Sequence, residues 1–159
     1  MRIGNKADYA LHAMIYIAAY TDKRLSTINE IAETEGIPRE YLAKILKELT
    51  EHGLLRSTKG IYGGYRLARP AGDISFLNII ESFEGPMYIS FCNAPESKRD
   101  GSHRKGKCAA WQFWEDMQKR VKAELAEMNL GKIDYKKYYN PNKTGHKLEY
   151  RRITAYKPL

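Results

Sequence analysis

The stretch TINEIAETEGIPREYLAKILKELTEHGLLRSTKGIYGGYRLA, residues 27–68, predicts two short helices followed by a hairpin. Thr27 and Glu30 have the spacing of a capping box, in which each side chain hydrogen-bonds the other residue's backbone amide, and this predicts the start of the first helix. Gly36 suits the end of that helix, and Pro38 suits the first position of the next. Two short helices joined by a tight turn predict a helix-turn-helix.

The second helix of this pair is expected to run to about Glu51 and to bury one face, formed by Leu42, Ile45, Leu46 and Leu49. Strand-like residues 54–57 and 65–68 follow, and the glycine-containing segment 59–64 between them permits a turn with positive φ. A helix-turn-helix followed by a hairpin is a winged helix. The predicted fold is therefore mainly α, of the α+β class, with a two-stranded wing.

The predicted elements continue on both sides of this stretch. Residues 7–20 are apolar almost all round, which suits a buried helix, and residues 76–84 form a short helix that Asp73 or Ser75 could cap. The polar loop 93–107 then leads to a helix expected over 108–130. Its apolar residues recur at spacings of three and four, which indicates a seam; they are Trp114, Met117, Val121, Leu125 and Met128.

The seam needs a partner, and the simplest one is the same helix of a second copy, which predicts a homodimer. Packing of the stripe against its own domain is the open alternative, because periodicity does not name the partner. The chain is thus divided into a winged helix-turn-helix domain (1–70), a linking helix (71–92), a polar sensor loop (93–107), a dimerisation helix (108–130) and a basic tail (131–159).

Composition supports a nucleic-acid partner only weakly. The 159 residues are 43% hydrophobic and carry a formal net charge of +8, which favours a polyanionic partner. However, 8 Lys and Arg against 2 Asp and Glu in residues 131–159 supply +6 of that charge. We expect this Tyr- and Lys-rich tail to be partly ordered and to add phosphate contacts.

Other protein classes are disfavoured by the sequence. The longest apolar-rich run, residues 9–20, is too short to span a bilayer, and two cysteines are too few for a disulfide scaffold. We therefore expect a cytoplasmic protein without a membrane partner. The sequence contains no nucleophile–base motif, phosphate loop or HExxH, so we expect no enzymatic activity.

Four segments resemble the IscR/NsrR/CymR-type winged-helix regulators of bacteria, the Rrf2 family: MRIGNKADYALHAMIYIA (1–18), GIPREYLAKILKELTEHGLL (36–55), KGIYGGYRLARP (59–70) and ISFLNIIE (74–81). The resemblance implies a homodimer that binds a partly palindromic operator in double-stranded DNA. The matching positions imply DNA contacts by recognition-helix residues Arg39, Glu40, Tyr41, Lys44 and Lys47. In the wing they imply contacts by Lys59, Ile61 and Tyr62.

The cysteines depart from the family's commoner pattern, in which three cysteines hold an iron–sulfur cluster. This chain has only Cys92 and Cys108, and it is similar to a subset with an acidic residue and a His in the first helix of one subunit and two cysteines in the other. That similarity implies Asp8, His12, Cys92 and Cys108 as metal ligands, with His103 in reserve. Such a set suits a [2Fe–2S] cluster, and zinc is the minor alternative.

Other interpretations of these residues remain open. His12 could be a histidine that is simply hydrogen-bonded within the chain, and the cysteines could be structural or a reversible thiol pair. The favoured hypothesis is a DNA-binding regulator controlled by a cluster that senses redox state, iron or nitric oxide. The alternatives are a cluster-free repressor of the same family that responds to thiol chemistry, a small molecule or a protein, and an interaction module without an operator.

Overall fold

The computed structural model describes residues 3–95 and 108–139. Its helices are α1 (Asn5–Tyr20), α2 (Ile28–Glu35), α3 (Arg39–Glu51), α4 (Phe76–Glu84), α5 (Trp111–Glu127) and α6 (Tyr135–Tyr138). One antiparallel sheet pairs β1 (Leu55–Thr58) with β2 (Gly64–Leu67). The predicted class is confirmed, since the chain is mainly helical with a two-stranded wing.

Helix α1 lies at the centre of the core, as its nearly continuous apolar sequence predicts. It packs against α2, α3, α4 and β2, and Met14 and Ile17 are fully buried. The four predicted apolar residues of α3 are fully buried as well. Burying side chains of this size stabilises the fold by about 1.5–3 kcal/mol each, before the loss of conformational entropy is counted.

The helix-turn-helix begins as predicted. The Thr27 hydroxyl accepts the Glu30 amide hydrogen, the Glu30 carboxylate accepts the Thr27 amide hydrogen, and Gly36 ends α2 at φ 65°. The prediction for Pro38 is wrong by one position. Its ψ of 125° is extended, so it is the last residue before α3, and its carbonyl accepts the first helical bond from the Leu42 amide.

The wing is attached to the body by backbone hydrogen bonds. Leu55 pairs with Leu67 and Arg56 with Arg66, while Ser26 exchanges two hydrogen bonds with Tyr65 at 2.8 and 2.9 Å. These bonds hold the wing in one orientation beside the helix-turn-helix.

The segment after α5 returns to the core. The Met128 carbonyl accepts the Phe76 amide hydrogen, and the Leu130 amide donates to Ile74. The predicted helix over 108–130 is therefore too long: α5 spans Trp111–Glu127, because the backbone becomes extended at Met128 and places Leu130 fully inside the core. Ser75, not Asp73, caps α4 through a capping box with Asn78.

Within residues 3–95 and 108–139, no helix is both long enough and apolar enough to cross a membrane.

Candidate nucleic-acid interface and cysteine site

The predicted recognition helix, α3, buries its leucine-rich face and exposes the opposite one. Arg39, Glu40, Lys44 and Lys47 are exposed. The Arg39 Nε donates to the Asn29 Oδ1 at 2.7 Å, which ties the first turn of α3 to α2. The exposed face therefore presents cations on a rigid helix that is anchored at its start.

Besides Arg39, two of the predicted α3 contacts have partners within the chain. Tyr41 is half-buried, with its ring edge-on to Tyr9 at 5.9 Å between centroids. The Lys47 Nζ lies 3.8 Å from Glu51, an exposed pair that contributes little to stability. Among the described residues, Lys44 makes no ion pair, so its charge is available to an external phosphate.

The wing tip carries large side chains with almost no contact to the protein. Ile61 is 97% exposed and Tyr62 is 93% exposed, and Lys59 precedes them on the exposed turn. Exposure of two bulky apolar or aromatic residues side by side is not explained by folding, since it costs hydrophobic free energy. This exposure makes the wing tip a candidate surface for contact with another molecule.

The cysteine site lies where the segment before the polar loop meets the start of α5. Cys92 is buried in the turn Phe91–Asn93, and its Sγ lies 3.3 Å from the Cys108 Sγ. The hydrogen bond between the two thiols, assisted by burial, raises the pKa of Cys92. The two cysteines are 16 residues apart in the sequence, but the fold brings their sulfur atoms into contact. Two ligands of the same metal ion must lie this close together.

The other predicted ligands lie on α1. Asp8 is exposed and His12 is half-buried, one helical turn apart on the same face. The His12 Nδ1 lies 3.1 Å from the Glu35 Oε2, and this hydrogen bond, which outweighs the opposing effect of burial, raises the pKa of His12. Because a carboxylate only accepts hydrogen bonds, Nδ1 bears the hydrogen and the lone pair of a neutral His12 is on Nε2.

Glu35 is a site residue that the sequence interpretation missed. Its side chain is 2% exposed, and its second oxygen, Oε1, accepts a hydrogen bond from the Tyr139 hydroxyl at 2.8 Å. Burial, reinforced by this carboxylate, raises the pKa of Tyr139. A signal was present, because Glu35 falls at the i+7 position of the apolar face that Ile28, Ile31 and Ala32 define in α2.

The four predicted ligands fit a shared metal centre only in part within one chain. In the described parts of the chain, no group of three or more His, Cys, Asp and Glu side chains is close enough to hold a metal ion. Two thiolates on one tetrahedral ion, with metal–sulfur bonds of about 2.3 Å, would lie about 3.8 Å apart, and 3.3 Å is close to that value. The cysteines thus form half of a site, and His103 lies outside the described residues.

The predicted seam of α5 is neither buried nor fully exposed. All five predicted residues are half-buried, but Met128 follows the end of α5, where the backbone is extended, so only the first four lie on the helix. No residue of α5 is buried. Leu125 packs against the core, while Gln118 accepts a hydrogen bond from the Ile89 amide and Lys122 pairs with Glu81 at 2.8 Å. One side of α5 therefore rests on its own chain, and the seam keeps apolar area for another surface.

A helix-turn-helix that exposes one face of its second helix and is followed by a two-stranded wing defines the winged-helix class of DNA-binding proteins. The sequence pattern of the Rrf2 family, described as an iron-dependent transcriptional regulator, matches residues 3–134. The chain belongs to the Rrf2 family.

Two kinds of Rrf2 protein are among its relatives. The regulator IscR of Vibrio atlanticus is 28% identical over 133 residues, which cover 84% of this chain and 75% of IscR. The structure of CymR, the global cysteine regulator of B. subtilis, is 27% identical with a TM-score of 0.69, covering 82% of this chain and 94% of CymR. Staphylococcus aureus CymR is 30% identical with a TM-score of 0.61, covering 80% and 93%.

Proposed function

We propose that this regulator is a cytoplasmic homodimer whose operator binding is controlled by a [2Fe–2S] cluster shared between subunits. The observation that carries this proposal is the thiol pair: Cys92 and Cys108 meet at 3.3 Å, whereas Asp8 and His12 lie on a different element, α1, of a single chain. Each pair alone has too few ligands for a cluster. The cysteine pair of one subunit and the Asp8–His12 pair of the other would together supply four ligands.

The DNA contacts of the proposal follow from exposure and charge. In the major groove, Arg39 can form a two-pronged hydrogen bond to guanine, Glu40 can accept from cytosine, and Lys44 and Lys47 can reach phosphates. At the wing, Lys59 supplies charge to the minor groove or backbone beside Ile61 and Tyr62. Tyr41 is the least available of these candidates, since Tyr9 already packs against it.

The dimer of the proposal is formed along α5. The half-buried positions Trp114, Met117 and Val121 face the second copy, while Leu125 divides its surface between the core and the partner. A pair of recognition helices related by a two-fold axis reads two half-sites, so their separation decides whether an operator fits.

The donor set suits the cluster, with two thiolates for one iron and imidazole plus carboxylate for the other. When bound, the cluster would supply a bridge that responds to oxidation state, iron supply or nitric oxide. Glu35 holds the Nδ1 hydrogen of His12 and so directs Nε2 outward, in the way that carboxylates orient metal-binding histidines. If His12 and Asp8 of one subunit bound the cluster held by the cysteines of the other, α1 of the first subunit would be fixed beside the start of α5 of the second. This contact would set the distance between the two recognition helices.

A second candidate is a thiol regulator without a cluster, and the same 3.3 Å distance favours it. Loss of two protons and two electrons to a peroxide or disulfide oxidant would join the sulfurs of Cys92 and Cys108 in a disulfide. Similarity to IscR and CymR is compatible with both a cluster and a disulfide, so it does not decide between the two candidates. The iron content of the purified protein does.

Purification without air, followed by absorption spectroscopy and iron and sulfide analysis, tests the proposal. We expect coloured protein with about two irons and two sulfides per cluster. Cys92→Ala and Cys108→Ala should be colourless, His12→Ala should have an altered spectrum, and Asp134→Ala, an exposed acidic residue outside the set, should match the wild type.

Colourless wild-type protein after anaerobic reconstitution with iron and sulfide would overturn the cluster. A disulfide formed under mild oxidation by that same protein would establish the thiol candidate. Bound zinc without iron would establish a structural metal site instead.

A further inference from the structure

The base of the wing carries three arginines that the proposed DNA contacts do not use. Arg56 on β1 and Arg66 on β2 are directly opposite each other in the sheet, and both are exposed. Together with Arg69 they line an open cleft of about 520 Å³ between the wing and the end of α1. The cleft also contains Thr21 and Asp22.

This arrangement is electrostatically unfavourable in the protein alone. Side chains directly opposite in an antiparallel pair have Cβ atoms about 5 Å apart, and like charges at such positions destabilise the sheet. In residues 3–95 and 108–139, none of the three arginines forms an ion pair with a carboxylate, Asp22 included. Three guanidinium groups in one cleft against a single carboxylate leave an excess of positive charge.

Guanidinium groups bind phosphate in a two-pronged manner, and a cleft with several of them is suited to that anion. We infer that the Arg56–Arg66–Arg69 cleft binds phosphates of the DNA backbone beside the base pairs that α3 reads. The inference rests on the proposed function, since it assigns a second contact to the same DNA-binding surface.

The position of the cleft favours backbone phosphates over a small free anion. Arg56 precedes the wing-tip residue Lys59 by three residues, a distance of about 10 Å along a strand. Successive phosphates of one DNA strand are farther apart along the winding backbone than their rise of about 3.4 Å along the helix axis, so a wing lying on the backbone would reach one phosphate at its tip and a neighbouring one at its base. The cleft is also open to solvent, so a DNA strand could pass through it without an end having to enter.

The salt dependence of DNA binding tests the inference. The probe is a mixed-sequence duplex of about 30 base pairs, long enough for two half-sites, titrated by fluorescence anisotropy at several salt concentrations. The double variant Arg56→Ala/Arg66→Ala should reduce the slope of log K against log salt by about one for each phosphate lost and weaken binding roughly tenfold. Arg56→Lys/Arg66→Lys should retain most of the slope.

The matched control is Lys119→Ala/Arg120→Ala, which also removes two positive charges, from exposed positions on α5. It should leave the slope unchanged. A second measurement separates binding from folding: the Arg56→Ala/Arg66→Ala variant should have a thermal midpoint at or above that of the wild type, because the opposed charges are gone. A purely structural role would instead lower the thermal midpoint.

Several outcomes overturn the inference. A wild-type slope in the double-alanine variant excludes phosphate contacts in the cleft. Tight binding of inorganic phosphate or tripolyphosphate, without loss of slope in the variant, assigns the cleft to a free anion. If the wild-type protein bound no duplex, the proposed function itself would be overturned. This outcome differs from failure of the cleft inference alone, in which the wild type binds DNA and has a measurable salt slope.

Discussion

The winged-helix body and the α5 side of this protein are stabilised in different ways. The body, residues 3–84, holds nearly all of the fully buried side chains, including Met14, Ile17 and Leu46. Helix α5 has no buried residue, and its apolar stripe is half-exposed along its length. The winged-helix body therefore buries its apolar side chains within the chain, whereas α5 leaves part of its apolar stripe uncovered, as the proposed homodimer requires.

The same substitution in the two regions gives the largest expected difference. Leu46→Ala removes a fully buried side chain and should reduce the free energy of unfolding by about 2–5 kcal/mol. Leu125→Ala, measured at concentrations that favour monomer, should cost about 1 kcal/mol, because that side chain is only half-buried. Urea unfolding measures both, and equal losses would show that α5 is part of the same core.

A charge in the α5 seam should separate the subunits. Val121→Glu places a carboxylate among the apolar positions expected at the interface and should raise the dimer dissociation constant by about 30-fold or more, the effect of losing about 2 kcal/mol. The matched control, Ala123→Glu, changes an exposed position of the same helix. Sedimentation velocity compares the two, and an intact Val121→Glu dimer would move the interface to another surface.

Single substitutions on the DNA-reading face should affect binding without affecting folding. Lys44→Ala and Lys59→Ala should each weaken duplex binding by about tenfold and reduce its salt slope by about one. Both side chains are exposed, so their thermal midpoints should match the wild type. If either variant bound the duplex with the wild-type salt slope, that lysine would not contact a phosphate.

The smallest expected effect is a pH dependence of the stability of the metal-free protein. The pKa of His12 is raised above 6.5 mainly by its hydrogen bond to Glu35. The folded state therefore holds this proton more tightly than the unfolded state, so the stabilisation is fully present below pH 6.5 and is lost as pH rises through the folded pKa. Glu35→Gln should flatten this part of the profile, and an unchanged profile would contradict the pairing.

The sequence predicted the winged-helix body well because its signals are local. The capping box at Thr27, the apolar face of α3 and the glycines between the wing strands each depend on residues close in sequence. It predicted the end of α5 less well, because Leu130 is drawn out of the helix by pairing with Ile74, 56 residues earlier. That contact has no local signature.

The candidate site divides in the same way. The exposure of Lys44 follows from the helix periodicity of α3, and the position of Ile61 at the wing tip follows from the glycine-containing turn between the two predicted strands. The Glu35 bonds to His12 and Tyr139 do not, since they join α1, α2 and the segment after α6. The predicted tail, residues 131–159, is described only as far as Tyr139, so its phosphate contacts remain a prediction.

A mixed dimer tests whether each cluster site takes ligands from both subunits. One subunit carries Asp8→Ala/His12→Ala and the other Cys92→Ala/Cys108→Ala, with different affinity tags for purification of the mixed species. We expect each parent homodimer to lack the wild-type spectrum and the mixed dimer to regain about half of the wild-type absorption, because one of its two sites has all four ligands. A mixed dimer without the wild-type spectrum, beside a coloured wild type, would contradict this expectation and place every ligand in one subunit.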